Sequence, residues 1–346
     1  TMIQLTKGTN VLDINLSDYS GAGQDVVQNG SFDDIGSDLI LNGNFTGVTE
    51  LVVGGDFPLP NVSWITAAST TINGGSATFE GLGIASTYLG ILNTYSGASA
   101  AYSLRLLDNT FSGSAIRVRR SSDNAEQDIG FVDNVLDTAT LESFCSATNG
   151  YVTTWYDQSG SANNATNSLA ADQPQIVSSG STILENGKPA IQYDGSGDEL
   201  EIGSQLNLGA EFFVPFVYKS NRTSSEDYVL YGGAAASRFR LYGTYLKIYI
   251  DNLTYTFIPS SGSNFGTQYL WTNESDTSND LQVYRNSSLI STKPIPSDAN
   301  WGIGFIGYGT TRPITGLMQE IIFYPQDESA NRSGIETNIN DFYSIY

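Results

Sequence analysis

Histidine is absent from this sequence and cysteine occurs once, at Cys145. A single cysteine rules out an intrachain disulfide, and without histidine neither a Cys/His zinc site nor a serine or cysteine nucleophile activated by imidazole can be built. Any hydrolytic chemistry must therefore rest on Asp and Glu. Basic residues are also scarce, with Lys and Arg numbering 15 against 36 Asp and Glu, for a formal net charge of -21 and a pI near 4.1. So acidic a chain lacks the clustered cations that hold phosphates, so nucleic acid is not an expected partner. An anionic membrane surface is excluded on the same ground. No apolar run approaches the roughly 20 residues of a membrane-spanning helix, so no membrane insertion is expected. The opening Thr1-Met2-Ile3-Gln4 shows no charged-then-apolar leader, so export by a classical signal is not expected either.

What is abundant is glycine (36), tyrosine (20) and phenylalanine (16), with many Ser, Thr and Asn and few helix-forming runs. That balance belongs to an all-β protein with tight turns. The 346 residues are enough for two domains, one of them large. Residues 1–85 read as a small β-rich domain. It holds an alternating strand at Asn10–Leu16, then three apolar runs that each meet a Gly turn and a phenylalanine, ending at Phe32, Phe45 and Phe57. Trp64 and a hairpin signal at Ile72–Phe79 close this segment. Residues 86–346 read as the main domain. Leu136, Leu141 and Phe144–Cys145 predict one short helix with Asp137 as its N-cap. Strands are predicted at Tyr151–Tyr156, Phe212–Tyr218, Tyr245–Ile250, Leu281–Tyr284 and Leu317–Tyr324, and an amphipathic turn at Ser333–Tyr343 closes the chain. Many short strands with a helix at each end predict a two-sheet sandwich.

Four stretches carry a family resemblance: Tyr102-Ser-Leu-Arg-Leu-Leu107, Ser114–Asp123, Gln127–Phe131 and Thr154-Trp-Tyr-Asp-Gln-Ser-Gly160. Asn186–Gly195, Gln319–Pro325 and Ile335–Asn340 support it. Together they resemble the catalytic domain of the family 54 α-L-arabinofuranosidases, a concanavalin-A-like β-sandwich (jelly roll). They resemble more closely the laminin-G-like or lectin-like domains of bacteriophage tail and virion proteins. The resemblance spans about residues 90–346. It implies a virion-surface spike, fibre or receptor-binding subunit that recognises host-surface polysaccharide. Residues 1–85 would then attach to other virion proteins or to further copies of the chain, and a homo-oligomer is expected because multivalent display raises avidity.

Catalysis of the family's type needs two carboxylates about 5 Å apart. The resemblance puts the nucleophile at Asp251, on a strand spanning Tyr245–Leu253. It puts the proton donor in Ile306–Thr310, which carries no carboxylate. The family's adjacent cysteine pair is missing from Tyr228–Leu230. Losing the proton donor alone costs roughly 10²–10⁴-fold in rate, so the expectation is a binding protein, with a glycoside hydrolase as the competing reading. A structural decoration protein with no ligand is the third. The aromatics Tyr242, Tyr245, Tyr249, Trp301 and Tyr308 are the candidate sugar platform. Asp194 and Asp198, in a Gly-rich stretch, could offer oxygens to Ca²⁺ but lack EF-hand spacing. The alternative there is a hairpin turn with solvated acids, and no other cofactor is expected. Asp157 and Ser159 are read as bonding the backbone of a tight turn above a core Trp155. Arg117 and Arg119 share a strand face, where ion pairing within the domain is favoured over an anion site.

Overall fold

The computed structural model describes residues 88–232, 237–308 and 313–346 in full and, within residues 2–80, the backbone of eight strands. The chain divides into two units, Thr1–Tyr88 and Leu89–Tyr346. In the first, Met2–Lys7 pairs with Asn10–Asn15, and Ser69–Asn73 with Ser76–Glu80. Val26–Gln28, Asp38–Leu41, Glu50–Gly54 and Ile65–Thr66 form an antiparallel row. The apolar runs of the sequence repeat are therefore successive antiparallel strands. Phe32, Phe45, Phe57 and Trp64 lie outside the described residues.

The second unit is a β-sandwich. One sheet runs Glu126–Ile129, Ile116–Arg120, Gly150–Trp155, Ala165–Thr166, Leu200–Asn207, Gly302–Ile306, Glu226–Tyr231, Arg238–Tyr242, Leu246–Ile250 and Leu253–Phe257, each antiparallel to the next. The other runs Ser288–Pro294, Asp280–Arg285, Gln268–Ser275, Phe212–Ser220 and Thr315–Phe323, whose far edge takes both Ile191–Asp194 and Ala100–Ser103. Gln175–Ser178 pairs with a strand of each sheet and carries the hydrogen bonding across one side of the sandwich.

The two sheets differ in how they are covered, and the sequence dictates the difference. Leu246-Lys-Ile-Tyr-Ile250 alternates, with Leu246, Ile248 and Ile250 buried and Lys247 and Tyr249 reaching solvent. Such a strand has one wet face. Phe212-Phe-Val-Pro-Phe-Val-Tyr218 is buried on both faces. Phe212, Val214 and Phe216 point into the main core, whereas Phe213 and Val217 join a second cluster with Ile91, Leu92, Ile335 and Ile339. The C-terminal helix Arg332–Tyr343 thus covers the outside of the second sheet, leaving the first sheet with the exposed face.

Local readings are met closely. The helix is Thr138–Cys145, with Asp137 accepting the Thr140 N–H at 2.9 Å. Trp155 is fully buried against Tyr102, ring centroids 5.7 Å apart. Asp157 accepts the backbone N–H groups of Ala101 (2.8 Å), Ser159 (2.9 Å) and Asn163 (3.0 Å) and the Ser159 hydroxyl (2.9 Å), so it fastens its turn to the strand Ala100–Ser103.

Beneath the C-terminal helix, Glu274 is 2 % exposed and lies 3.6 Å from Arg332, which also pairs with Glu336 at 3.0 Å. Burial pushes its carboxyl up to about 7, Arg332 opposing and Glu336 and Asp327 adding to the rise. The folded state thus holds a proton that the unfolded chain releases at its ordinary, lower pKa. This contribution to stability is fully present below about pH 4.5 and is lost as pH rises through about 7. Glu274→Gln should therefore match the parent chain at about pH 4 and exceed it at about pH 8, by up to roughly 3 kcal/mol. Urea midpoints at the two pH values measure this, and an equal gain at both would show that titration of Glu274 is not the cause.

Candidate functional site

The exposed face of the first sheet carries a tract of tyrosines and arginines. Strand register places them, because residues directly opposite one another across a ladder project to the same side. Phe305 pairs with Tyr231, Tyr231 with Arg238, Arg238 with Tyr249, and Tyr249 with Thr254. One ladder position away, Tyr228 pairs with Arg240, Arg240 with Lys247, and Glu226 with Tyr242. The Arg238-Phe-Arg-Leu-Tyr242 alternation buries Phe239 and Leu241 and turns Arg238, Arg240 and Tyr242 outward.

These side chains brace one another. Tyr231 and Tyr308 stack with centroids 3.9 Å apart and planes 26° off parallel, and Phe305 packs on both at 6.2 Å. Arg240 lies between two rings, 4.1 Å from the Tyr228 centroid and 4.8 Å from that of Tyr249, and its Nη1 donates to the Tyr249 hydroxyl at 3.0 Å. The same Nη1 is 3.5 Å from the Glu226 carboxylate. Arg238 sits over the same Tyr249 ring, 4.4 Å from its centroid. Tyr242 and Tyr245 stack at 4.2 Å on either side of a tight turn, with Lys247 5.6 and 5.7 Å from their rings. Burial raises the Tyr242 hydroxyl pKa, as does its hydrogen bond to Glu226. Burial, then the neighbouring Tyr308, raises that of Tyr231. Both phenols are therefore neutral donors at ordinary pH. The result is a preorganised surface of mutually braced rings, with guanidinium groups lying over some of them and hydroxyls standing among them.

Four of the five aromatic candidates, Tyr242, Tyr245, Tyr249 and Tyr308, thus fall on one face. Trp301 does not. It is fully buried, with its ring 4.9 Å from that of Phe212, on the core side of the sheet together with Ile303 two positions on. Asp251 is corrected as well. It lies in the two-residue turn Asp251-Asn252 between paired Ile250 and Leu253, both turn residues having positive φ (47° and 68°), and its carboxylate accepts the Asn300 N–H at 2.7 Å. That is the backbone of a type I′ hairpin turn, and it holds a neighbouring loop. Sequence reasoning missed Tyr228, Tyr231, Arg238, Arg240 and Phe305.

The carboxylates Asp194 and Asp198 sit at the turn after Ile191–Asp194. Asp194 is exposed and accepts the Ser196 N–H at 2.6 Å, while Asp198, 3 % exposed, accepts the Asp194 N–H at 2.7 Å. Burial, reinforced by Asp194 and Asp172, pushes Asp198 up to about 7. Among the described residues no group of three or more Asp, Glu or Cys is arranged to hold a metal ion. The pair lies in the turn that leads from Ile191–Asp194 in the second sheet to Leu200–Asn207 in the first, where Asp198 is engaged by the Asp194 N–H.

Residues 93–193 match the family model described as "Alpha-L-arabinofuranosidase B, catalytic". No curated protein matches the chain. Among solved structures, a variant of a family 54 α-L-arabinofuranosidase soaked with 4-nitrophenyl α-L-arabinofuranoside superposes with a TM-score of 0.53 at 16 % identity, over 70 % of this chain and 62 % of that one. An arabinofuranosidase complexed with arabinofuranosyl-α-1,2-xylobiose gives a TM-score of 0.51 at 18 % identity with the same coverage. The chain therefore spans less than two thirds of the length of these structures, and at such identity the likeness is one of fold. The sandwich of Leu89–Tyr346 has the arabinofuranosidase type of fold. The matched residues contribute four strands to the exposed sheet, and the tyrosine–arginine tract comes from strands beyond them.

Proposed function

We propose that the second unit is a carbohydrate-recognising domain that holds a hydroxyl-rich glycan against the exposed face of its first sheet. The observation that carries this is the stacked Tyr231–Tyr308 pair, flanked by Arg238 and Arg240. Ring faces match the apolar side of a sugar, and a guanidinium fork donates to its hydroxyls without taking a proton. Where the resemblance expects the proton donor of a hydrolase, Tyr308 stands, and Asp251 is engaged by Asn300. This supports binding over bond cleavage.

The test is titration of immobilised and soluble glycans, arabinan and arabinoxylan among them. Tyr308→Ala should weaken binding by about tenfold or more, the effect of removing a central aromatic anchor, with little change in melting temperature. A chain that binds no glycan, or a Tyr308→Ala variant that binds as well as its parent, would overturn the reading. A second reading, a glycoside hydrolase on arabinose-bearing polysaccharide, is favoured by the match of residues 93–193 to the catalytic family model. Steady release of reducing sugar by the parent chain decides for it. The setting that fits a binding domain is the surface of a bacteriophage particle, where Thr1–Tyr88 would attach to other virion proteins and several copies would engage host polysaccharide together. Locating the chain on purified particles by imaging tests that placement.

A further inference from the structure

The ladder that carries Tyr249, Arg238, Tyr231 and Phe305 does not end there. Phe305 pairs with Glu201, Glu201 with Thr166, Thr166 with Thr154, and Thr154 with Arg117. Each of these side chains reaches solvent, so the row is continuous on the same exposed face. At about 4.8 Å between strands, Tyr231 and Arg117 lie roughly 24 Å apart. The far end opens into a cavity of about 470 Å³ whose walls include Arg117, Thr154, Thr166, Asn167, Gln173 and Glu201.

The cavity has a fixed frame and free groups. Asn167 donates to the carbonyls of Asp172 and Glu199, both at 2.9 Å, and Gln173 donates to the Asn167 carbonyl at 2.8 Å. Buried Arg119 donates its Nε to Gln173 at 2.7 Å, with further bonds to Asn124 and the Ala170 carbonyl, and lies 5.0 Å over the ring of Tyr151. Arg117 pairs with Glu126 at 2.7 Å and with Asp128 at 3.2 Å. Both arginines are thus committed within the domain. The side chains of Thr154, Thr166 and Glu201 make no hydrogen bond among the described residues. Two hydroxyls and a carboxylate in a row suit sugar hydroxyls, which donate and accept in turn. An anionic sugar would instead meet Glu201 and Glu126 on a chain of net charge -21.

We infer that the ligand is an extended, uncharged polysaccharide chain that crosses the strands from the Tyr231–Tyr308 stack to the cavity beside Arg117. This rests on the carbohydrate-binding reading and adds to it a length and a charge class. A single sugar ring cannot touch both ends, so affinity must depend on chain length.

The test is calorimetric titration with a short probe, arabinofuranosyl-xylobiose, and a long one, a soluble arabinoxylan fragment. The parent chain should bind the long probe about tenfold or more tightly than the short one. Thr154→Val/Thr166→Val/Glu201→Gln keeps shape and strand preference while removing the hydroxyls and the charge. It should lose that advantage, about tenfold for two hydroxyl bonds removed and one charge-assisted bond weakened, and keep its affinity for the short probe and its melting temperature. Tyr308→Ala should weaken both probes. Equal binding of long and short probes by the parent chain, or a triple variant with undiminished affinity for the long one, would overturn the extended track while leaving glycan binding standing. Polygalacturonate binding more tightly than arabinoxylan would overturn the uncharged class. Failure of every probe would remove both this inference and the reading beneath it.

Discussion

Trp301→Ala should destabilise the sandwich by about 3–5 kcal/mol, the range for emptying the site of a large aromatic in a packed core. Trp301 is fully buried, and the rings it touches belong to the interior between the sheets. The surrounding strands Phe212–Ser220 and Gly302–Ile306 are pinned by their own ladders, so the void cannot close by collapse. Chemical denaturation measures the loss. Glycan affinity per folded molecule should stay that of the parent, the opposite of Tyr308→Ala, which should lower affinity and leave stability nearly untouched. A folded Trp301→Ala chain of parental stability but reduced affinity would put Trp301 back on the sugar platform.

The contrast between these two aromatics shows what was legible in the sequence. Trp301 and Tyr308 are seven positions apart in one segment, and composition treats them alike. Their fates depend on an irregularity between them: Ile303 and Ile306, three positions apart, both face the core where the ladder with Leu200–Asn207 shifts register, so simple alternation does not carry from one aromatic to the other. Asp251 fails for a related reason. Reading one strand through Tyr245–Leu253 put it on a ladder, yet Asp-Asn between Ile250 and Leu253 is itself a hairpin signal. Tyr228 and Tyr231 differ by three, a spacing that puts them on opposite faces of a regular strand. A register shift between Tyr228 and Leu230 brings them to one side, 6.5 Å apart and nearly parallel. By contrast, Asp137, Trp155 and Asp157 were readable because their roles are settled by neighbours within a few residues, as caps and turns are.

The exposed ladder belongs to neither class. Arg117, Thr154, Thr166, Glu201, Phe305 and Tyr231 come from six strands spread along the chain from Arg117 to Phe305, and only the pairing register joins them. A shift of one residue in any strand would send its member to the core. The buried side fixes that register. Ile116, Trp155, Ala165, Ile202, Ile306 and Leu230 project inward beside the outward row, so the same ladder that packs the core composes the surface.

Arg105→Ala should cost about 3–5 kcal/mol, the range for leaving a buried charge without its partner. Arg105 and Glu320 form a two-pronged pair, Nε to Oε2 at 2.7 Å and Nη2 to Oε1 at 2.9 Å, with side chains 4 % and 0 % exposed. Ser103 and Tyr343 donate to the same Oε2 at 2.8 and 3.1 Å, and the Arg105 guanidinium lies 5.0 Å over Phe342 and 5.8 Å from Tyr343. The pair therefore ties strand Thr315–Phe323 and edge strand Ala100–Ser103 to the C-terminal helix that covers the second sheet. Removing the arginine leaves a fully buried carboxylate held by two hydroxyls, and the cost is that of an uncompensated charge. Arg105→Met/Glu320→Leu should recover much of the loss, because apolar side chains of similar size avoid the desolvation that the pair has to overcome. Urea unfolding of the two variants measures both steps. A double variant no more stable than Arg105→Ala would mean that the bonds to Ser103 and Tyr343, not the buried charge, set the loss. The exposed sheet lies on the opposite side of the sandwich, so affinity for glycan in either folded variant should remain that of the parent chain.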